Sequence, residues 1–159
     1  MTEPYASLTS QEGAQEGDST AKLDPILAAN KPKLFAALRS VGAAIAVITY
    51  SGEGDSGYGN IVAIYGAEGQ KITPRNPVEM AEAISTFVAG QWKVGVRKVV
   101  LPLPDALDAF TDRAIELLHS GFENGDGGSG EVTFDVYAER VEMEHRDYFV
   151  DSNTTYTDL

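Results

Sequence analysis

Val132, Phe134 and Val136 alternate with Glu131, Thr133 and Asp135, and a return segment from Val141 to Phe149 follows Ala138-Glu139-Arg140. Period-two alternation puts apolar side chains on one face of a strand and polar ones on the other, so this pair predicts a β-hairpin. Two further β-rich runs, Ala43–Tyr50 and Ile61–Tyr65, predict neighbouring strands joined by a loop. Trp92–Val100 predicts another strand, closed by Pro102 and Pro104. Helical spacing occurs in three places. Leu34, Phe35 and Leu38 form a stripe after Asn30 as N-cap and before Gly42. Asn76-Pro77-Val78-Glu79 has the composition of a helix start ahead of Met80, Ile84, Phe87 and Val88, and Gly90 would end that helix. Leu107, Phe110, Ala114, Leu117 and Leu118 define a third helical face, terminated at Gly121.

This order predicts an α+β fold, an antiparallel or mixed sheet of about five strands with about three helices on one face. Residues 1–21 are polar and rich in small side chains, which predicts a disordered N-terminal arm. Residues 22–150 form a single predicted domain, with a loose tail over 151–159.

Charge changes this picture more than composition does. Residues 105–159 hold fourteen acids against three arginines, while residues 1–104 hold ten acids against nine bases, so nearly all of the net −12 falls in the C-terminal third. Such a surface repels nucleic acid and membrane headgroups and attracts basic protein surfaces. With no cysteine, the chain has no disulfide, thiolate metal site or thiol nucleophile, and it fits a reducing compartment. The N-terminus lacks the basic start and apolar run of a signal peptide, so a cytoplasmic location is expected.

The carboxylates fall into two rows. Asp105, Asp108, Asp112 and Glu116 are spaced three, four and four apart, along one side of the third helix opposite Leu107 and Phe110, with only Arg113 near enough to offset them. On the closing hairpin, Glu131, Asp135 and Glu139 share a predicted strand face, and Glu142 and Glu144 lie on the return strand.

Two loops share a pattern of small polar, Gly, acid, Gly, variable, Ser, Gly: Ser51–Gly57 and Asn124–Gly130. Glu53, Asp55 and Ser56 in one, and Asn124, Asp126 and Ser129 in the other, are candidate ligand-binding groups; flexible hairpin tips are the plainer reading. Gly54-Asp55-Ser56-Gly57 repeats a serine-protease tetrapeptide without a placed histidine or buried aspartate. Neither loop has calcium-loop spacing or the lysine of a phosphate cradle, and no metal ligand set is assigned. His119 and His145 are read as structural, and Trp92 as a core or rim residue.

Ala29-Asn30-Lys31-x-x-Leu34-Phe35-x-Ala37-Leu38, Tyr50-x-Gly52-x-Gly54-Asp55-Ser56-Gly57, and Gly121-Phe122-Glu123-Asn124 followed by Gly128-x-Gly130-x-x-Thr133-Phe134-Asp135-Val136 occur in that order. The set, over roughly residues 28–150, resembles an uncharacterised family of small acidic bacterial proteins often encoded on plasmids and other mobile elements. The chain departs from it at Phe122, where tryptophan is usual, and at Tyr58, where glutamine is. The resemblance implies a small, bacterial, cytosolic protein and carries no activity with it.

These readings converge on a non-enzymatic protein, without catalytic residues or cofactor, whose two acidic rows dock on a basic partner surface. Mimicry of DNA towards a nucleic-acid-binding complex, or inhibition of a host defence, belongs to that class. The alternatives are a small-ligand or calcium module built on the glycine loops, and a hydrolase acting through Ser56.

Overall fold

The computed structural model describes residues 24–158, so the expected arm over 1–21 lies outside the described residues. The described residues fold into two helices and eight strands. Helix α1 runs over Pro25–Ser40 and its N-cap is Asp24, whose carboxylate accepts from the Leu27 N–H at 2.9 Å, with Pro25 in the first turn. The predicted cap, Asn30, is instead 3% exposed inside the helix. Its amide accepts from the Ala81 N–H at 2.8 Å and donates to the Ala81 carbonyl at 2.9 Å, as a neighbouring strand would. An internal polar residue with a tertiary partner thus imitated a cap, and the true start lay at Asp24-Pro25.

Strands β1 (Ala43–Glu53), β2 (Ser56–Gly57), β3 (Ile61–Gly66), β4 (Lys71–Ile72), β7 (Gly128–Asp135) and β8 (Arg140–Asp147) form one sheet. Its order is β4-β3-β1-β7-β8, with β2 folded back on β1, and every pairing is antiparallel. The fold is α+β, as the patterning predicts. Helix α2 (Leu103–Leu118) lies with α1 on one face of that sheet. There the alternating side chains of β1 and β7, Ala46, Ile48, Tyr50, Val132 and Phe134, are buried against Leu34, Phe35, Leu38, Leu107 and Phe110. The Phe134 ring lies 5.7 Å from Phe35 and 5.2 Å from Phe110, which joins sheet to both helices.

The predicted helix over 76–90 is not helical. Pro77–Val88 is a strand, β5, paired residue by residue with β6 (Gln91–Pro102) in a separate two-stranded ribbon. Ala89 and Gly90 both have positive φ, 53° and 79°, the two-residue turn whose twist suits a hairpin. Gly90 marks this turn and not a helix end. An Ala-rich run next to a strand it can pair with gains a complete hydrogen-bond ladder, which outweighs a weak helical preference. The base of the ribbon is docked: Val78 and Met80 are buried, and the Leu103 N–H donates to the Asn76 carbonyl at 2.9 Å. Its outer half is exposed, and Trp92, expected in the core or rim, is 71% exposed.

Arg113 of α2 grips the Asp24 carboxylate with two nitrogens, at 2.7 and 2.8 Å, and so ties the start of α1 to α2. That hydrogen-bonded guanidinium, against an opposing cost of burial, holds the Asp24 carboxyl below its ordinary range. A lowered carboxyl pKa stabilises the fold above the unfolded value, and the contribution is lost as pH falls through the folded value. Asp24→Ala removes the cap and leaves Arg113 without its partner, and should cost about 2–3 kcal/mol in urea unfolding at pH 7. The difference from wild type should shrink below about pH 4. An equal loss at both pH values would contradict the ion pair.

Candidate functional site

The first acidic row takes shape on α2. Asp105, Asp112 and Glu116 are exposed and Asp108 is half-buried, while Ala106, Leu107, Phe110 and Ala114 of the same helix face the core. Asn60, just before β3, donates its amide to Asp108 at 2.6 Å and to Asp112 at 2.8 Å. One neutral amide thus holds two carboxylates side by side. Desolvation pushes the Asp112 carboxyl up, the Asn60 donor opposes this and the Asp108 charge reinforces it. Arg113, the one base expected to relieve this row, is committed to Asp24.

The second row is differently built. Glu131 and Asp135 of β7 and Glu142 and Glu144 of β8 lie on the sheet face opposite the helices, with Glu131 directly across from Glu144. Here bases are interleaved: Arg140 pairs with Glu142, and Arg146 with Glu144. Glu139 is not on that face. Strand β7 ends at Asp135, and Glu139 sits in the turn with φ 52°, paired with Arg39 at the end of α1. The two rows therefore sit on opposite sides of the sheet, and among the described residues only the sheet row has salt-bridge partners.

The two glycine loops meet. The Gly54 N–H donates to the Gly125 carbonyl at 3.3 Å and the Asp55 N–H to the Glu123 carbonyl at 3.0 Å. Glu53 and Ser56 close a two-residue hairpin over Gly54 and Asp55, both at positive φ. A Cβ on Gly127 would fall inside contact distance of the Gly52 carbonyl and the Glu53 backbone, so the loops pack too closely for any larger residue. The chain after β8 crosses the same junction: the Tyr148 N–H reaches the Gly127 carbonyl at 2.8 Å, and the Val150 N–H reaches the Asp126 carboxylate at 2.8 Å. Ser129 shares a 2.6 Å hydrogen bond with the Tyr148 hydroxyl. An open cleft of about 550 Å³ results, walled by Glu53, Ser56, Tyr58, Asp126, Tyr148 and Phe149. Asn124 turns the second loop beside Gly121 and lines the neighbouring depression with His119. Glu53, Asp55 and Asp126 do not form a metal-holding group; none of three or more His, Cys, Asp or Glu occurs among the described residues.

Beneath the loops lies a cluster that only folding assembles. His145 stacks on His119 with centroids 3.7 Å apart, and binds the Tyr50 hydroxyl through Nδ1 at 2.7 Å and Asp147 through Nε2 at 2.9 Å. Because Asp147 can only accept, Nε2 carries the proton, and in neutral His145 Nδ1 accepts from Tyr50. Burial pushes the Tyr50 phenol up to about 12. Burial, then the neighbouring His145, lowers the His119 pKa against the pull of Asp147. With both nitrogens bound and a side chain only 6% exposed, His145 ties β8 to β1 and is not placed to take a proton from a substrate. Ser56 lines the cleft and neither histidine does. Asn60 and Tyr148 carry this geometry without any sequence motif; Tyr50 and Gly130 fall inside sequence motifs, but nothing local shows that they face each other.

The chain belongs to a family of unknown function, DUF6878, whose profile matches residues 26–159. No curated protein and no solved structure matches it. No helix among the described residues is long and apolar enough to cross a membrane.

A Cβ on Gly130 would overlap the Tyr50 hydroxyl and the Glu144 carbonyl. Gly130→Ala should therefore break the Tyr50–His145 bond and cost about 2–3 kcal/mol, read as a lowered urea midpoint. Wild-type stability in that variant would mean that the close approach is absent in solution.

Proposed function

We propose that the protein is a non-catalytic docking module whose α2 carboxylate row binds a basic protein surface. The observation that carries this reading is that Asp105, Asp108, Asp112 and Glu116 line up with no salt bridge to any of them among the described residues, since the Arg113 fork closes on Asp24 and Asn60 holds Asp108 and Asp112 together. Like charges at helical spacing cost stability, and a partner's Lys and Arg side chains would relieve that cost. The sheet-face acids are partly compensated by Arg140 and Arg146 and contribute long-range attraction more than a binding site. Nucleic-acid-binding proteins, whose basic surfaces are shaped for phosphate rows, are the first partners to examine.

The test compares two variants that remove four charges each, Asp105→Asn/Asp108→Asn/Asp112→Asn/Glu116→Gln on α2 and Glu131→Gln/Asp135→Asn/Glu142→Gln/Glu144→Gln on the sheet. Partners captured from bacterial lysate at about 50 mM salt should be released by about 300 mM and lost from the α2 variant alone. Equal loss from both would reduce the effect to net charge and sink the reading.

A second reading rests on the meeting of the loops. A cleft with the aromatic side chains Tyr58, Tyr148 and Phe149 beside the carboxylates Glu53 and Asp126 suits a small organic cation. Spermidine or arginine should then raise the melting temperature by a few degrees, and Asp126→Ala should abolish the rise. No shift in the wild type would remove this reading.

A further inference from the structure

The β5–β6 ribbon presents one apolar face that nothing among the described residues covers. Because paired residues share a face, Phe87 opposite Trp92, then Val94, Val96 and Val100, all point the same way, at 60%, 71%, 80%, 62% and 66% exposure. Only Glu79 and Lys98 interrupt this face with charge, and they pair with each other at 3.4 Å. The other face is covered at its inner end, where Val78 and Met80 are buried, and carries the Arg97–Glu82 pair midway along the ribbon.

A two-stranded ribbon is marginal in water unless something packs against it. The Asn30 clasp and the docked base hold the ribbon only as far as Ala81. Beyond that point the Phe87–Trp92 ring pair, 5.3 Å apart, is its main internal packing. An apolar face of this kind needs an occupant.

We infer that the occupant is a second copy of this chain, whose arm packs face to face on the first about a two-fold axis. The area fits: these five side chains expose on the order of 500 Å² per copy, so two arms together bury about the 1,000 Å² that a specific interface requires. The charge fits too. Two chains of net −12 repel, but residues 77–102 carry three bases against two acids, a net of +1. The arm is the part of this surface that another copy can approach without meeting acid rows. Antiparallel arms would set each Phe87–Trp92 tip beside the partner's Val100 and keep the acidic bodies more than a Debye length of about 8 Å apart. A two-fold contact is self-complementary, and the Glu79–Lys98 pair suits it because the face has no net charge.

Trp92 is the chain's single tryptophan, so its emission reports the interface directly. Sedimentation velocity of the full chain should give twice the 17.0 kDa mass, with Trp92 emission shifting to the red as dilution separates the copies. Val94→Glu/Val96→Glu should raise the dimer dissociation constant at least tenfold. Its circular dichroism should stay unchanged, because both positions lie outside the core. Val88→Glu, on the opposite face of the arm, should leave the dimer intact. A wild-type monomer at about 100 μM would overturn the inference. So would a dimer that persists in the double variant, or a monomer whose Trp92 already emits as a buried indole, which would mean that residues 1–23 cover the face.

Discussion

The sheet of this protein buries one face only, and Phe134 is where that constraint is met. Fully buried near the C-terminal end of β7, its ring touches Phe35 of α1 and Phe110 of α2, so a single side chain couples the sheet to both helices. Apolar burial at roughly 25 cal/mol per Å² makes this layer the main stabilising term, and it dictates strand register, because a one-residue slip would turn Phe134 and Val132 into solvent. The acids Glu131 and Asp135 reach the opposite face for the same reason. Charge placement on the sheet is a by-product of core placement.

Close backbone approach organises the end of the sheet where the loops meet. Gly52, Gly127, Gly128 and Gly130 each face atoms that a methyl group would strike, and the chain uses the space to bring β1, β7 and the segment after β8 together. The Tyr50–His145 bond spans β7 directly over Gly130. What looks in the sequence like two flexible, acid-bearing tips is a packed junction with a cleft on its outer side.

Charge then divides the surface into regions of different chemistry. Arg113 could have screened the α2 row, yet it completes the Asp24 cap, where a partly buried carboxylate makes its fork of hydrogen bonds worth more than a surface pairing would be. The row is left without a salt bridge among the described residues as a consequence. The ribbon has the reverse composition, apolar with compensated charge, and projects from a body that holds the remaining negative charge. Uncompensated negative charge and exposed apolar surface are thus separated in space.

Patterning alone determined the α+β class, the β7–β8 hairpin, the stripe of α1 and the apolar face of α2, because each is a local periodicity set by one buried side. It also placed Asp105, Asp108, Asp112 and Glu116 in one row. It misplaced the start of α1 and made a helix of β5, since Asn30 and Gly90 owe their roles to Ala81 and to the adjoining strand, partners that a local window does not contain. Only the tertiary structure decided that Arg113 serves Asp24, that Glu139 leaves the sheet face, that the glycine loops touch and that Trp92 is exposed. Those outcomes depend on which long-range pairings satisfy buried polar groups at least cost, a competition among distant residues that sequence spacing does not encode.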